Sequence, residues 1–173
     1  MQPTPATTGQ LYPANEVLSS FPLLVPSAEL GGMPVGILRA TPTSPPWLLI
    51  LSTDPAGEFE SAWGEYGQNV PGCDSRVDGF TNTLAMFMAG CEAATRLHEL
   101  NIGGHNDWYI PARAEALLCH AVAKDHLPKG WMWTSTQYSA NHAWTQTFDV
   151  GIQYGSDKRN QSRVRAVRRL ILQ

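Results

Sequence analysis

From Trp131 onward the chain reads W-M-W-T-S-T-Q-Y-S-A-N-H-A-W-T-Q-T-F-D-V-G-I-Q-Y-G-S-D-K-R-N-Q-S-R-V-R-A-V-R-R-L-I-L-Q. Aromatic and polar residues alternate in short runs, and Gly, Asn and Asp break the runs. A strand sends successive side chains to opposite faces, so this alternation spells half-buried strands and the breaks spell loops. Strands are expected over 132–137, 143–149 and 164–172, with room for a further hairpin in 150–162. The side chains on offer are Tyr, Trp, Asn, Gln, Ser and His, a composition suited to binding and not to a reaction centre.

The upstream half has a different texture. W-L-L-I-L-S at 47–52 is a short apolar run between Pro-Pro and Asp-Pro, which suits a buried central strand. Residues 54–83 read as a long loop region. From Leu84 the apolar residues Phe87, Met88, Cys91, Ala94, Leu97 and Leu100 recur at three- and four-residue steps, the stripe of one helix. Thr81, Asn82 or Thr83 would cap it, and Gly103–Gly104 would stop it. Residues 108–110 form a short strand that points Trp108 and Ile110 inward. Pro111 then opens a second helix with Ala114, Leu117, Leu118, Ala121 and Val122 on its apolar face, ended by Pro128 and Gly130. Two helices followed by a run of antiparallel strands make an α+β domain over 47–173, not a doubly wound sheet. Residues 1–46 are rich in Pro, Thr, Ser and Gly and end in T-P-T-S-P-P. They read as an extended N-terminal arm and stiff linker, which needs its own domain, a sister subunit or a larger assembly to hold it.

Composition narrows the function. The 173 residues are 43% hydrophobic and 16% charged, with a net charge of −3, which gives no case for nucleic-acid binding. Six of the twelve basic residues, Lys158, Arg159, Arg163, Arg165, Arg168 and Arg169, crowd into the C-terminal stretch. Strand alternation would split them between two faces, so structural pairing with acidic residues is expected. Cys73, Cys91 and Cys119 are odd in number and lack C-x-x-C spacing, so reduced thiols are expected. Cys73, in V-P-G-C-D-S, is the one expected to be exposed. No basic segment precedes an apolar stretch at the N-terminus, and no run has the length of a membrane span. Synthesis in a cytoplasm without membrane insertion is the expectation. The five histidines (His98, His105, His120, His126 and His142) show no clean metal-ligand spacing, and Asp149 with Asp157 is a thin supply of oxygen for calcium. No cofactor or metal is expected.

The segment G-G-H-N-D-W-Y-I-P-A-R-A-E-A-L-L resembles the G-x-x-D-W-[RY]-L-P-[ST]-x-x-E-L signature of the DUF1566 family, also called the Lcl C-terminal domain. W-T-S-T-Q-Y-S-A-N-H-A-W-T-Q-T-F-D-V-G, closing on V-R-A-V-R-R-L, resembles that family's second signature. D-G-F-T-N-T, A-W-G-E-Y-G and V-P-G are similar to the longer form found in phage and prophage proteins. The resemblance spans roughly 47–171. It implies a C-type lectin-like fold, related to the variable receptor-binding proteins of diversity-generating retroelements. Ala112 departs from the pattern, standing where the family tends to place a Ser or Thr helix cap. Asp107 is expected to accept from loop N–H groups, and Glu115 to sit favourably in the first turn of its helix.

What this implies is a non-enzymatic phage virion protein. Its lectin-like domain would bind a host-surface glycan or protein, and its arm would dock other virion proteins in a homo-oligomer, with a trimer as the working symmetry. An architectural capsid or tail-assembly role is the alternative, and a formylglycine-generating type of enzyme, which would need a reactive thiol, is a third. Phe148 and Trp144 are expected to face the core. The surface carried by the closing segment, drawn from a set that includes Asp157, Arg159 and Asn160, then reduces to Gln137, Tyr138, Asn141, His142, Gln146, Gln153 and Tyr154.

Overall fold

The computed structural model describes residues 12–42 and 44–173. The architecture is α+β, with mostly antiparallel sheets and, among the described residues, four α-helices where the sequence led us to expect two. They are α1 (Ala14–Ser20), α2 (Gly79–Met88), α3 (Glu92–His98) and α4 (Arg113–Ala123). The strands are β1 (Gly32–Leu38), β2 (Trp47–Ser52), β3 (Glu58–Ser61), β4 (Trp131–Gln137), β5 (His142–Thr147), β6 (Gln153–Asp157), β7 (Ser162–Arg165) and β8 (Val167–Ile171). They form a three-stranded sheet in the order β1-β2-β8 and a five-stranded sheet in the order β3-β7-β4-β5-β6. Every pairing is antiparallel except that of β4 with β7.

The apolar run at 47–52 is the central strand it reads as. All six of its residues are buried, with β1 on one side and β8 on the other. β1 lies within the segment assigned to the arm. Its Met33 and Val35 join the core, as do Leu30 and Val17 from further upstream. Tyr12 bridges Leu172 in parallel, so the described part of the arm packs on the domain and does not project from it. The expectations for residues 1–11 fall outside the described residues. Pro34 is tolerated in β1 because this is an edge strand with an irregularity at that point.

The single strand expected over 164–172 is two strands in two sheets. Val164, Ala166, Val167 and Arg168 are all buried, which breaks the two-residue period between β7 and β8. At the break Ala166 donates to the Gly57 carbonyl (2.7 Å) and accepts from the Ser52 N–H (3.0 Å). Val167 meanwhile exchanges both backbone bonds with Tyr109 (2.7 and 2.9 Å). That exchange is the whole of the short strand expected at 108–110, and Tyr109 is buried along with Trp108 and Ile110.

The expected helix over 84–100 is also two. α2 begins earlier, inside the expected loop, with Asp78 as cap accepting from the Thr81 N–H (3.0 Å) and hydroxyl (2.9 Å). It stops at Gly90, whose φ of +76° a side chain would resist. The break rotates the buried face. Met86, Cys91, Ala94 and Leu97 are buried, while Leu84 and Met88 from the predicted stripe stand exposed. Gly103–Gly104 make the turn between the bridged Ile102 and His105 and do not cap a helix. α4 is rotated in the same sense. It buries Glu115, Ala116, Cys119 and Ala123 and leaves Leu117 and Val122 exposed. Small residues let it lie close to the sheet, a signal that apolar periodicity underweights.

The polar contents of the core explain that rotation. Glu115 is fully buried and takes four hydrogen bonds. Its Oε1 accepts from the Tyr109 hydroxyl (2.6 Å) and the Trp47 Nε1–H (3.2 Å). Its Oε2 accepts from the backbone N–H groups of Ala112 (2.8 Å) and Gly79 (3.1 Å). The Ala112 contact is half of a capping box, and the missing half is the hydroxyl that an alanine lacks. A Cβ on Gly79 would run into the Ile110 carbonyl and the Glu115 carboxylate, so α2 can approach only through glycine. Glu115 therefore joins β2, α2 and α4 and is more than a first-turn charge.

The crowded basic residues also serve the structure. Asp107 does not cap a loop. It receives the Arg168 guanidinium through both oxygens (2.9 and 3.0 Å), and Arg168 also donates to the Leu30 carbonyl. Arg165 pairs with Glu58, Arg169 with Asp78 and Arg159 with Asp157. Lys158 departs from the expected acid pairing. It is buried and donates to the Gln68 carbonyl (2.6 Å) and Gln137 Oε1 (2.7 Å), with its ammonium over the Trp63 ring. No helix among the described residues is long and apolar enough to cross a membrane.

Candidate ligand-binding groove

β4, β5 and β6 are joined in sequence order, and the tight β4–β5 connection is set by one hydroxyl. Ser139 Oγ accepts from the N–H groups of Asn141 (3.2 Å) and His142 (3.1 Å), while the His142 carbonyl accepts from Tyr138 and Ser139 (both 3.0 Å). This fixes Tyr138 beside the first residues of β5. In β6, Gly155 pairs with Trp144. The Tyr138 ring lies over Gly155, at ordinary contact distance from where a Cβ would stand. Tyr138, His142, Trp144, Gln153, Tyr154 and Gly155 thereby enclose an open groove of about 380 Å³.

The groove is mostly aromatic. Tyr138 meets Trp144 edge to face with ring centroids 5.0 Å apart, and meets His142 in the same manner at 6.4 Å. Tyr154 is 66% exposed and Tyr138 60% exposed. Arg113, in the first turn of α4, lays its guanidinium 3.7 Å from the Trp144 ring centroid. Its Nε donates to Gln153 Oε1 (2.7 Å). Gln153 Nε2 donates to the Arg113 carbonyl (3.0 Å) and to Gln146 Oε1 (2.6 Å), and Gln146 Nε2 donates to the Ala116 carbonyl (3.1 Å). The groove wall is thus pinned to α4 by a continuous amide relay. Burial and the nearby Arg76 both lower the Arg113 pKa.

The predicted surface is brought together in part. Tyr138, His142, Gln153 and Tyr154 line one groove. Trp144, expected in the core, is half-buried and lines it with them, whereas Phe148 does enter the core. Gln146 is not a surface residue, because it is completely buried in the relay. Gln137 is turned away from the groove. Its Oε1 accepts from the Val70 N–H and Lys158, and its Nε2 donates to Asn69. Asn141 belongs to the turn, where its carbonyl accepts from the Lys158 N–H. Asp157 and Arg159 pair with each other, and Arg159 stacks on Tyr66 away from the groove.

Sequence reasoning missed Gly155, which lines the groove, and Arg113, which supports it through Trp144 and Gln153. A signal for Arg113 was present: a cation in the first turn of a helix opposes the helix dipole, so another contact must favour it. Trp131, expected as scaffold, is 43% exposed with its ring 6.5 Å from Tyr154.

Cys73 was expected at the surface and is completely buried, its Sγ–H directed to the Asn82 carbonyl (3.2 Å). Burial pushes its thiol up to about 12, and does the same to Cys119. Among the described residues no three His, Cys, Asp or Glu side chains converge as a metal site would require.

A comparison with curated proteins finds no match. The profile of the Lcl C-terminal domain family matches residues 53–168, well over half of the chain and inclusive of the groove. The chain belongs to the Lcl C-terminal domain family, DUF1566.

Proposed function

We propose that this chain is a non-enzymatic display module of a phage particle, made in the bacterial host, whose C-type lectin-like domain binds a host-surface ligand in the Tyr138–Trp144–Tyr154 groove. The observation that carries this reading is the exposure of large aromatic rings on a hairpin whose backbone and wall are fixed by Ser139, Gln153 and Gln146. Rigid aromatic side chains give contact area at small entropy cost. The three thiols support a binding role over a catalytic one. All are buried, and each has its pKa raised by burial, away from the thiolate that a nucleophile needs.

The test is adhesion of the purified chain to host cells. Changing Tyr138, His142 and Tyr154 together to Ala is expected to abolish adhesion while the thermal midpoint moves little. Adhesion that survives the triple change rejects the groove as the contact.

The architectural reading has one observation in its favour. Leu18, Leu23, Leu24 and Val25 all expose apolar side chains in the segment that leads into β1, a surface suited to a neighbouring virion protein or subunit. Leu18→Glu with Val25→Glu is expected to remove the protein from assembled particles. Normal incorporation of that variant would reject docking through this face. Deleting residues 1–46 would take β1 out of its sheet, so the paired Glu substitutions are the cleaner probe of docking.

A further inference from the structure

We infer that β6 is a self-pairing edge: a second copy of this chain docks on it antiparallel, so that the two five-stranded sheets run on as one across a twofold axis. This does not depend on the groove being the binding site.

The two sheets have four edges, and three of them are guarded. On β1 the Leu24 N–H reaches the Pro34 carbonyl (2.8 Å), and Ser27 exchanges both backbone bonds with Gly32. β8 is met by Tyr109 at Val167 and by Tyr12 at Ile171. β3 carries Glu58 and Glu60, and the Arg96 guanidinium takes its Glu60 carbonyl (3.2 Å). Covering an edge and charging it are the usual means of keeping it from pairing with another chain. From Gln153 to Ser156, β6 has neither a charge nor a proline, and it has no bulge against β5.

The register shows which backbone groups of β6 are open. At one end of the β5–β6 pair the Thr147 N–H donates to the Ile152 carbonyl (2.9 Å), and at the other the Lys158 N–H donates to the Asn141 carbonyl (3.0 Å). Alternation between these points turns the backbone of Tyr154 and Ser156 toward β5 and that of Gln153, Gly155 and Asp157 outward. The Asp157 carbonyl is used by the Asn160 N–H (3.0 Å). Gln153 and Gly155 are left, with two donors and two acceptors that have no partner among the described residues.

A second copy fits those four groups. Setting Gln153 of each copy against Gly155 of the other makes four bonds and leaves none of the groups over. The axis then passes between the two Tyr154 residues, which oppose each other at a non-hydrogen-bonded site, where cross-strand rings come closest. Tyr154 is exposed, and the exposed Trp131 ring lies 6.5 Å from it, so pairing joins the rings of both copies into one stripe. The charges agree with this register. No like charges are opposed along the edge, and Arg159, just past β6, is brought toward Asp149 of the other copy, in the turn that precedes β6. An isologous contact of this kind closes at two copies.

The experiment is analytical ultracentrifugation of the full chain over a concentration series, with amide hydrogen exchange on the same samples. A species of twice the chain mass is expected, with protection of the Gln153 and Gly155 amides appearing as it forms. Tyr154→Lys sets like charges face to face, and Gly155→Pro removes one donor from each copy. Each is expected to weaken the dimer about tenfold or more. Tyr154→Lys changes only an exposed side chain, so it decides the matter if the proline disturbs β6. A trimer, or a dimer undiminished in Tyr154→Lys, would overturn the inference. So would a chain that stays monomeric up to about 100 μM. Protection of the Gly155 amide that then appears only in assembled particles would give the edge to a strand of another protein.

Discussion

The Glu115 node and the Trp144 groove are assembled from similar parts and finished in opposite ways. Each brings a Trp, a Tyr and a charged residue of α4 together. At the node the indole N–H, the phenol and two backbone N–H groups all land on one carboxylate, and no polar atom is left over. At the groove the Arg113 guanidinium is used on one edge only and both phenols face outward. Saturated polar groups in a core fix geometry, because any departure leaves a buried donor unpaired. Partners left open at a rigid surface are available to something else. The contrast separates residues that hold the fold from residues that are free to bind.

The largest effect should come from emptying the node. Glu115→Ala strands four buried donors and is expected to cost about 3–5 kcal/mol in denaturant unfolding. A loss below about 1 kcal/mol would mean that the carboxylate is not the link between β2, α2 and α4.

The node should also respond to pH. Desolvation pushes the Glu115 carboxyl up to about 7 from an ordinary 4.5, against the Tyr109 hydroxyl and the Ala112 and Gly79 N–H groups that pull it down. Between those values the folded state binds more protons than the unfolded one. The stability contributed by this group is therefore complete below about pH 4.5 and lost as pH rises through 7, by up to about 3 kcal/mol. Glu115→Gln should remove that slope from a plot of stability against pH. If wild type and the Gln variant run parallel from pH 4.5 to 7.5, Glu115 does not titrate in that window.

Of intermediate size is Asp107→Ala, which leaves the nearly buried Arg168 without its acid. About 2 kcal/mol is expected, less than for a fully buried pair because Asp107 itself reaches solvent. An unchanged unfolding midpoint would show that the Leu30 carbonyl alone satisfies Arg168. Smallest in stability is Tyr154→Ala, expected within about 0.5 kcal/mol of wild type, yet with host adhesion lost. Should Tyr154→Ala unfold the protein, the groove would prove to be scaffold and the contrast with the node would collapse.

The sequence was most legible where one physical signal dominated. The run at 47–52 is apolar throughout and forms the central strand, and the alternation after Trp131 gives β4 and β5 nearly to the residue. It was less legible where two signals competed. Leu84 and Met88 are hydrophobic enough to claim a core face, but the break at Gly90 turns them outward. Leu117 and Val122 drew the apolar face of α4 away from Glu115, because a carboxylate reads as surface until its donors are known. Those donors lie at 47, 79, 109 and 112, and no local pattern links them.

The groove was legible at Tyr138, His142, Gln153 and Tyr154, which loop and strand composition marks as exposed. It was illegible at Trp144, whose half-burial depends on Arg113 from a distant helix covering one face. Gln146 shows the reverse case. It is polar, and it is buried because Gln153 and the α4 backbone satisfy it.

The passage of the chain from β7 to β8 at Ala166 bears on the order of events during synthesis. β4, β5 and β6 pair with near neighbours in the chain and can zip as soon as residue 157 has left the ribosome. β2 must wait for β8, more than a hundred residues downstream, and β3 for β7. Long-range pairings of this kind fold slowly. The face that carries the groove can therefore form early and locally, while both sheets are completed late by the same ten-residue stretch. A premature stop shortly before residue 162 would release a chain with its hairpins in place and two sheets left unfinished.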